Sequence, residues 1–462
     1  MKSLLIACLL FSTTAKAQVF ETAKEAVKNM KVGWNLGNTF DSNSGDTLNM
    51  WIEENKYRTA TYYETAWGQK ATKPELFKLF KEAGFNAIRV PVTWYPHMEA
   101  TFNSVKGYHN SKGEWVRTPW LPSEDPIGTK IQADWMKRIH EVVDYVISQG
   151  MYCILNVHHD TGAANTAWLI ADEKVYDEQK ARFEEVWRQI AEEFKDYDEH
   201  LLFEGYNEML DSKRSWCFAS FGATGNYNAA IASSAYKAIN GYAQSFVNAV
   251  RATGGNNAQR NLIVNTYGSC DGSGGWNAHL LDPLKEMKLP EDKAENHLIF
   301  EIHSYPTIDN LSSTKSGVRT SINNWNQYLV SKGAPVIVGE WGTSTENAYD
   351  NYRQNYLDFA RYFVEQTKAN GMATFHWMGL SDGDARTAPR FNQQDLVDAI
   401  IKGYYGDGGY TGVASVNAHQ DMKVNVYSLS GVCIGRNMTK QEAMSSLPKG
   451  IYIVGKDKVV IK

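Results

Sequence analysis

Two glutamates follow apolar segments whose composition is typical of β-strands. Glu208 comes directly after segment 201–207, and Glu340 comes directly after segment 335–339. Cleavage of a glycosidic bond needs two carboxyl groups: a protonated one to help the leaving oxygen depart, and an ionised one to meet the positive charge at the anomeric carbon. We therefore predict that Glu208 and Glu340 form a catalytic pair for glycoside cleavage, provided that the fold brings them together.

Polar and aromatic residues end the other apolar segments as well. An Arg89 cation near Glu340 would lower the pKa of that carboxyl group, and the Tyr305 hydroxyl would hold the carboxylate in line. Asn207 suits a hydrogen bond to a sugar 2-hydroxyl, and Trp377 offers a ring for stacking on a sugar face. The residues predicted to surround the two glutamates are Asn35, Arg89, His158, His159, Asn207, His303, Tyr305 and Trp377.

The elements that must position these residues alternate between amphipathic helices and short apolar strands. The clearest helix covers residues 131–149, and a strand follows at once over 151–157. Thr72 and Glu75 have the spacing of a capping box for an earlier helix, which should end near Gly84. The predicted strands cover residues 32–38, 85–90, 151–157, 201–207, 262–265, 298–304, 335–339 and 372–377.

Eight strands that alternate with helices predict an α/β fold, a closed (β/α)8 or TIM barrel with a parallel sheet. Active sites in this fold lie at the C-terminal ends of the strands. The polar residues that end the eight segments should therefore meet at one rim of the barrel.

The two ends of the chain differ in composition from the barrel segment. Lys2, a short apolar run and small residues before Gln18 indicate a signal peptide, so we expect a secreted or cell-surface protein. No later segment has 18 uninterrupted apolar residues, so no membrane span is predicted. The predicted divisions are a signal peptide (1–17), a (β/α)8 catalytic domain (18–402), a Gly-rich linker (403–412) and a small β-rich C-terminal domain (413–462).

Composition excludes some classes of function. The net charge is -5 and no long basic run occurs, which argues against nucleic acid as a partner. The 12% aromatic content fits either a large core or a groove lined for sugars. Cys217 and Cys270 could pair in an exported chain, but the sequence leaves their pairing open.

Several motifs resemble glycoside hydrolase family 5, in particular its cellulase-type members. They are Gly33-Trp34-Asn35-Leu36-Gly37-Asn38-Thr39, Ile88-Arg89-Val90-Pro91-Val92-Thr93-Trp94, Asn156-Val157-His158-His159-Asp160, Phe203-Glu204-Gly205-Tyr206-Asn207-Glu208, His303-Ser304-Tyr305 and Val338-Gly339-Glu340-Trp341-Gly342. The resemblance implies a retaining hydrolase with Glu208 as acid/base and Glu340 as nucleophile. It also implies that Arg89, His158, Asn207, His303, Tyr305 and Trp377 form the glycone subsite, with no cofactor.

The resemblance leads us to expect an endo-β-1,4-glucanase that acts on cellulose-like or mixed-linkage glucans as a monomeric catalytic unit. A β-mannanase or a xyloglucanase is the alternative within the same mechanism, because loops decide which hydroxyls and branches fit. Trp34, Trp67, Trp94, Trp168 and Trp341 are candidates for distant subsites, with core packing as the other interpretation.

The C-terminal segment resembles the sorting domain of the Bacteroidetes type IX secretion system. The resemblance rests on Val426-Tyr427-Ser428-Leu429-Ser430-Gly431, Leu447-Pro448-Lys449-Gly450-Ile451-Tyr452-Ile453 and the closing Lys458-Val459-Val460-Ile461-Lys462. It implies outer-membrane secretion machinery as a partner. A small β appendage without an addressing role is the alternative.

Two other classes of function are weaker alternatives. His158, His159 and Asp160, with His303 and His376, could bind a metal ion, as in metal-dependent hydrolases. Adjacent strand residues point to opposite faces, so His158 and His159 should not reach one ion. A non-catalytic sugar-binding barrel is the other alternative, although both glutamates are present. We predict no metal site.

Overall fold

The computed structural model describes residues 20–43, 59–102, 106–118, 121–122, 124, 127–222, 225–410, 423–428, 433–439, 447–448, 450–454 and 457–461. The strands are β1 (Val32–Asn35), β2 (Ala87–Val90), β3 (Lys106–His109), β4 (Trp115–Thr118), β5 (Tyr152–Asn156), β6 (Leu201–Glu204), β7 (Leu262–Cys270), β8 (Leu298–Ser304), β9 (Val336–Trp341), β10 (Ala373–His376), β11 (Lys423–Ser428), β12 (Cys433–Thr439), β13 (Gly450–Val454) and β14 (Asp457–Ile461). The α-helices are α1 (Ala23–Met30), α2 (Ala60–Thr65), α3 (Pro74–Ala83), α4 (Glu99–Phe102), α5 (Ala133–Ser148), α6 (Glu173–Glu193), α7 (Ala229–Ala252), α8 (Asp282–Glu286), α9 (Leu311–Tyr328), α10 (Ala348–Asn351), α11 (Arg353–Ala369) and α12 (Gln394–Tyr405).

Within the described residues, eight parallel strands form a closed barrel in the order β1-β10-β9-β8-β7-β6-β5-β2. This confirms the predicted (β/α)8 barrel, and each of the eight predicted segments supplies one strand. The strands are buried along nearly their whole length. This is expected for apolar strands whose outer side is covered by helices and whose inner side faces the barrel interior. β7 runs to Cys270, five residues beyond its predicted end, and Cys270 is aligned with His303 of β8.

Helix α1 closes the N-terminal end of the barrel. Thr22 and Glu25 form a capping box at its start. Ala23, Ala26, Val27 and Met30 are buried in one cluster with apolar residues of seven barrel strands, including Ile154, Ile263 and Phe375. The opposite end, where the strands finish, is therefore the end available for chemistry.

The predicted capping box of α3 is wrong. The helix begins at Pro74, its N-cap is Lys73, and no side chain caps it. Proline suits this first position because it lacks the N–H that would otherwise need a partner. Thr72 instead donates its backbone N–H to Glu64. The predicted end is confirmed, since Gly84 adopts φ 112° as the left-handed C-cap.

The predicted linker begins too early. Helix α12 continues to Tyr405 and includes Gly403, which is buried. The chain divides into two units, residues 1–409 and 410–462. The predicted signal peptide and linker positions 411 and 412 lie outside the described residues.

The second unit contains a four-stranded antiparallel sheet in the order β12-β11-β13-β14. This agrees with the prediction of a small β-rich tail. In the described part of the chain, no helix has the length and apolar character needed to cross a membrane. Cys153, Cys217 and Cys270 are free thiols.

Gly403 provides a test of the boundary between the barrel and the segment after it. A Cβ at this position would lie 2.7 Å from the backbone oxygen of Arg361 in α11 and 2.9 Å from Cβ of Val364. Gly403→Ala should therefore destabilise the barrel by about 1–3 kcal/mol through overpacking. The measurement is urea unfolding followed by tryptophan fluorescence, which reports only the first unit because residues 410–462 contain no Trp.

Gly408→Ala is the matched control. A Cβ at Gly408 would meet no atom within 4 Å, so the unfolding midpoint should not move. Equal midpoints for the two variants would contradict the assignment of Gly403 to a packed helix.

Candidate active site

The two predicted glutamates meet at the C-terminal rim of the barrel. Glu208 follows β6, and Glu340 lies near the end of β9, where it is aligned with His303 of β8. Carboxylate oxygens of Glu208 and Glu340 and a ring nitrogen of His303 lie within 4.8 Å of one another. The tertiary structure thus places side chains from three strand ends in one cluster.

Arg89 joins the rim to the interior of the barrel. Its side chain is fully buried, and Nη1 donates to Glu340 Oε1 at 2.7 Å and to Asn35 Oδ1 at 2.9 Å. Nε and Nη2 donate to the two oxygens of Glu204 at 2.6 and 2.8 Å. Nη2 also donates to Asn207 Oδ1 at 2.8 Å. A buried cation needs such partners, and these bonds fix the positions of Glu340 and Asn207 together.

The environment of Glu340 favours its ionised form. Burial by itself would raise the pKa of this carboxyl group, but the charges of His303 and Arg89 and hydrogen bonds from Tyr305 and Arg89 lower it overall. The Tyr305 hydroxyl donates to Oε2 at 2.7 Å. Glu340 is therefore held as an oriented carboxylate.

Glu208 has the opposite tendency. Burial and the negative charge of Glu340 raise its pKa, although a hydrogen bond with His303 opposes this shift. His303 Nδ1 lies 2.9 Å from Glu208 Oε1. The Glu208 side chain is 23% exposed, against 6% for Glu340, so it reaches toward solvent. Two neighbouring carboxyl groups with pKa values moved apart are what an acid and a nucleophile require.

The other predicted residues differ in what their side chains contact. Asn35 is fully buried, and its Nδ2 donates to the Gly339 carbonyl at 2.8 Å. Because Asn35 and Arg89 use their side chains on protein groups, both act as positioning residues here, and a direct contact of either with sugar stays a prediction. His158 is buried, with Nε2 4.0 Å from Glu340 Oε1, and burial lowers its pKa well below the usual value.

Trp377 and His159 are the more exposed predicted residues. The Trp377 ring lies parallel to the His158 ring, with centroids 5.7 Å apart. The six-membered ring of the Trp377 indole is close to Gly37, where a Cβ would lie 3.1 Å from Cη2 and Cζ2. His159 is 31% exposed, and burial of its ring lowers its pKa to about 4. His159 is therefore uncharged near neutral pH, and Trp377 provides an apolar ring beside the carboxylates.

The metal-binding set considered from sequence does not form. The Asp160 carboxylate accepts hydrogen bonds from the Trp94 and Tyr95 backbone amides and the Trp168 indole. His376 faces Tyr356 and a backbone carbonyl.

The prediction that His158 and His159 point to opposite faces of a strand is wrong. β5 ends at Asn156, so strand alternation does not reach them, and their ring centroids lie 4.5 Å apart. With Asp41 they form a group whose ligand atoms lie within 4.8 Å. Both oxygens of Asp41 already accept backbone N–H groups, from Asn38 and Thr39.

Sequence reasoning missed two buried carboxylates, Glu204 and Glu301. Glu204 binds Arg89 as described, and Glu301 Oε1 lies 3.4 Å from Arg89 Nε and 3.2 Å from His303 Nε2. Each interrupts an apolar strand, and a charge in such a strand must face a partner. Glu301 also stands two residues before His303, on the same side of β8. A charged residue within an apolar strand, two positions from a predicted site residue, was the sequence signal that could have identified Glu301.

The burial of the tryptophans differs from the prediction that five of them are candidates for distant subsites. Trp34, Trp94, Trp168 and Trp341 are buried in the core, and only Trp67 of the predicted subsite candidates is partly exposed. Three exposed rings of the described residues, Trp216, Tyr227 and Trp276, lie instead on the loops after β6 and β7. These loops belong to the same rim as Glu208.

Comparison with known proteins agrees with this geometry. Residues 51–382 match the family model described as cellulase, glycosyl hydrolase family 5. The chain belongs to glycoside hydrolase family 5. It is therefore a glycoside hydrolase, and the recognition made from its motifs is confirmed at the level of the family.

Individual relatives cover most of the chain. Endoglucanase B of Neocallimastix patriciarum is 31% identical over 84% of this chain and 73% of that protein. Among solved structures, a broad-specificity endoglucanase from an uncultured bacterium is 52% identical, with a TM-score of 0.74, and covers 84% of this chain and 98% of that one. A family 5 enzyme of Prevotella bryantii B14, solved with a xyloglucan tetradecasaccharide, is 34% identical with a TM-score of 0.67, covering 84% and 99% of the two chains.

Arg89→Met tests the role of the buried cation. The substitution leaves Glu204 and Glu340 without their guanidinium partner, so we expect the free energy of unfolding to fall by about 3–5 kcal/mol at pH 7.5. The pKa of Glu340, which Arg89 lowers in the wild-type protein, would then rise. The folded variant would bind extra protons, and its deficit relative to wild type should shrink as the pH falls toward 5.

Urea unfolding at pH 5 and 7.5 measures this effect. Arg353→Met removes an exposed Arg353–Asp395 pair and should leave the unfolding midpoint unchanged. An Arg89 deficit that is the same at both pH values would contradict the proposed charge pairing.

Proposed function

We propose that the protein is a secreted retaining endo-β-1,4-glucanase, with Glu340 as the nucleophile and Glu208 as the acid/base. The observation that carries the proposal is the close approach of the two carboxylates, whose oxygens lie within 4.8 Å. Retaining enzymes keep the two groups roughly 5–5.5 Å apart, whereas inverting enzymes leave about 6.5–9.5 Å for a water molecule. The short separation therefore supports retention.

In the first step, a Glu340 oxygen attacks the anomeric carbon while Glu208 gives its proton to the glycosidic oxygen. The glycosidic C–O bond breaks, and an ester bond forms between the sugar and Glu340. Tyr305 and Arg89 hold the two Glu340 oxygens, so one attacks from a fixed direction. Asn207 is anchored by Arg89 and suits the sugar 2-hydroxyl.

In the second step, water attacks the anomeric carbon, the ester bond between the sugar and Glu340 breaks, and Glu208 takes a proton from that water. Glu340 is neutral while it is esterified, so the negative neighbour that raised the pKa of Glu208 is gone. The pKa of Glu208 therefore falls, so the group is ionised and able to accept a proton at the moment when a base is required. Release of the sugar returns both carboxyl groups to their starting states.

A glucan substrate is supported by the relatives and by the exposed rings. The structural relatives include a broad-specificity endoglucanase and a protein solved with xyloglucan. Trp216, Tyr227 and Trp276 extend the rim beyond Glu208 with flat apolar surfaces on which sugar rings can stack. Xyloglucan is the second candidate substrate, favoured by the xyloglucan-bound relative, and β-mannan is the third.

Secretion is proposed from the N-terminal pattern and from the resemblance of the tail to a sorting domain. The four antiparallel strands of the second unit are compatible with such a domain. Deletion of residues 413–462 in a Bacteroidetes host should leave active enzyme inside the outer membrane. Release of the truncated enzyme to the medium at the full-length rate would refute a sorting role.

Glu340→Ala tests the nucleophile. We expect kcat on a β-glucan to fall by at least about 10⁴-fold, because the covalent step is lost. Azide should enter the space of the missing carboxylate and restore part of the activity with an activated aryl glycoside, giving a glycosyl azide of inverted configuration. Product NMR gives the configuration, and unchanged turnover in the variant would end the assignment.

Substrate choice is tested with carboxymethylcellulose, lichenan, xyloglucan, glucomannan and xylan. We expect reducing ends from the β-1,4-glucans with products of mixed length, as internal cleavage requires. Trp276→Ala should lower kcat/KM on these polymers by roughly tenfold, since stacking contributes about 0.5–1.5 kcal/mol, but spare a short aryl cellobioside. Xylan or mannan as the preferred polymer would overturn the glucanase proposal.

A further inference from the structure

Glu301 is a buried carboxylate that the proposed mechanism leaves without a role. It lies in the middle of β8 and is fully buried. Its carboxylate faces Arg89 of β2, Glu204 of β6, His303 of its own strand and, beyond His303, Glu340 of β9. Burial of a carboxylate is costly, so a partner must hold it there.

Glu301 and Glu204 contact Arg89 in different ways. Glu204 binds Arg89 with both oxygens and accepts a further hydrogen bond from Asn156. Glu301 contacts Arg89 only at 3.4 Å, through the same Oε1 that faces His303 Nε2 at 3.2 Å. Oε2 of Glu301 has no hydrogen-bond partner among the described residues. Glu204 thus orients Arg89, whereas the carboxylate of Glu301 has its shorter contact with the His303 ring.

The neighbouring strand leaves space for this carboxylate. A Cβ on Gly339 would lie 1.6 Å from Glu301 Oε1 and 2.3 Å from its carboxyl carbon. Gly339 is not among the glycines with positive φ, so its backbone would tolerate a side chain. The glycine directly before Glu340 is therefore explained by the room that Glu301 needs.

His303 lies between Glu301 and the two reacting carboxyl groups. Its Nδ1 is 2.9 Å from Glu208 Oε1 and 3.5 Å from Glu340 Oε2, while Nε2 faces Glu301. An imidazole with carboxylates on both nitrogens can donate on both sides only when it is doubly protonated. Burial by itself would favour the neutral ring, but Glu340, Glu208 and Glu301 raise the pKa of His303 to about 10.

We propose that Glu301 is a positioning residue that keeps His303 doubly protonated, so that His303 presents Nδ1–H and a positive charge to Glu208 and Glu340. This inference rests on the proposed function. His303 keeps both of its protons throughout the cycle, and the proton that moves is the one Glu208 gives to the leaving oxygen and recovers from water. When Glu208 has given up its proton, the imidazolium hydrogen bond stabilises the new carboxylate.

The charge of Glu301 gives the proposal a distinct pH signature. Burial and the charge of Glu204 raise the pKa of Glu301 to about 7, against the opposing effect of Arg89. Below pH 6, Glu301 is mostly protonated, and a glutamine imitates it. Above pH 7, wild type carries a negative charge that glutamine lacks, so protons on His303 and Glu208 are lost more easily in the variant.

Glu301→Gln is the decisive variant. We expect kcat/KM to stay within about threefold of wild type below pH 6, and to fall roughly tenfold at pH 8 as the alkaline limb moves about one pH unit lower. Glu301→Asp, which keeps the charge, should recover part of the alkaline limb. A loss of the same size at every pH would show a merely structural role and overturn the proposal.

Two further measurements keep the test sharp. Glu64→Gln removes another buried carboxylate, one paired with Arg138 away from the site, and should leave the pH profile unchanged. In the wild-type enzyme labelled with ¹⁵N-histidine, His303 should give imidazolium shifts at pH 8, and a neutral ring there would overturn the proposal without any variant.

The proposed catalytic roles are tested separately in the same assays. Glu208→Gln and Glu340→Gln should be inactive toward polysaccharide at every pH. If they are inactive while Glu301→Gln has the wild-type profile, only the positioning role fails. If they retain activity, the proposed function itself fails.

Discussion

The buried guanidinium of Arg89 is the interaction on which the rest of the site depends. It contacts side chains from β1, β6, β8 and β9 and from the segment after β6, so it holds the rim and the interior of the barrel in one network. Its charge is balanced by carboxylates that would be costly to bury alone. The same contacts set the positions of Glu340 and Asn207. The ion pairs that stabilise the barrel interior therefore also orient the side chains of the site.

The network favours different protonation states for the two neighbouring carboxyl groups. Glu340 receives hydrogen bonds from Arg89 and Tyr305, which favour its ionised form. Glu208 has the imidazole of His303 as its partner and is more exposed. Glu340 therefore stays ionised while its charge helps Glu208 to keep a proton. Geometry and electrostatics thus support the same proposed assignment of roles.

The scaffold makes room for this network by small, specific features. Gly339 leaves space beside Glu301, Gly37 leaves space beside Trp377, and α1 closes the end of the barrel away from the chemistry. The loops after β6 and β7 add exposed aromatic rings to the rim. The barrel interior thus supplies fixed charges, whereas the loops supply the surfaces that choose a polysaccharide.

The sequence by itself determined the barrel and the order of its strands along the chain, and it predicted that Glu208 and Glu340 would meet at the rim. Apolar segments with polar ends are a local signal, and the parallel barrel brings those ends to one rim whatever the details of packing. The family motifs implied subsite roles for six surrounding residues. Local signals were weaker at element ends, where α3 begins after Lys73 without a side-chain cap and α12 continues through Gly403.

Only the tertiary structure decided which residues face each other across the barrel. Glu204 and Glu301 are charges in apolar strands, but their partner Arg89 lies more than 100 positions away, so no local pattern connects them. The proximity of His158 and His159 depended on β5 ending at Asn156, and the separation of buried from exposed tryptophans depended on packing between elements. Contacts between distant segments determine how deeply each titratable side chain is buried and which charges surround it. Burial and neighbouring charges in turn determine the pKa values of Glu208, Glu340 and His303.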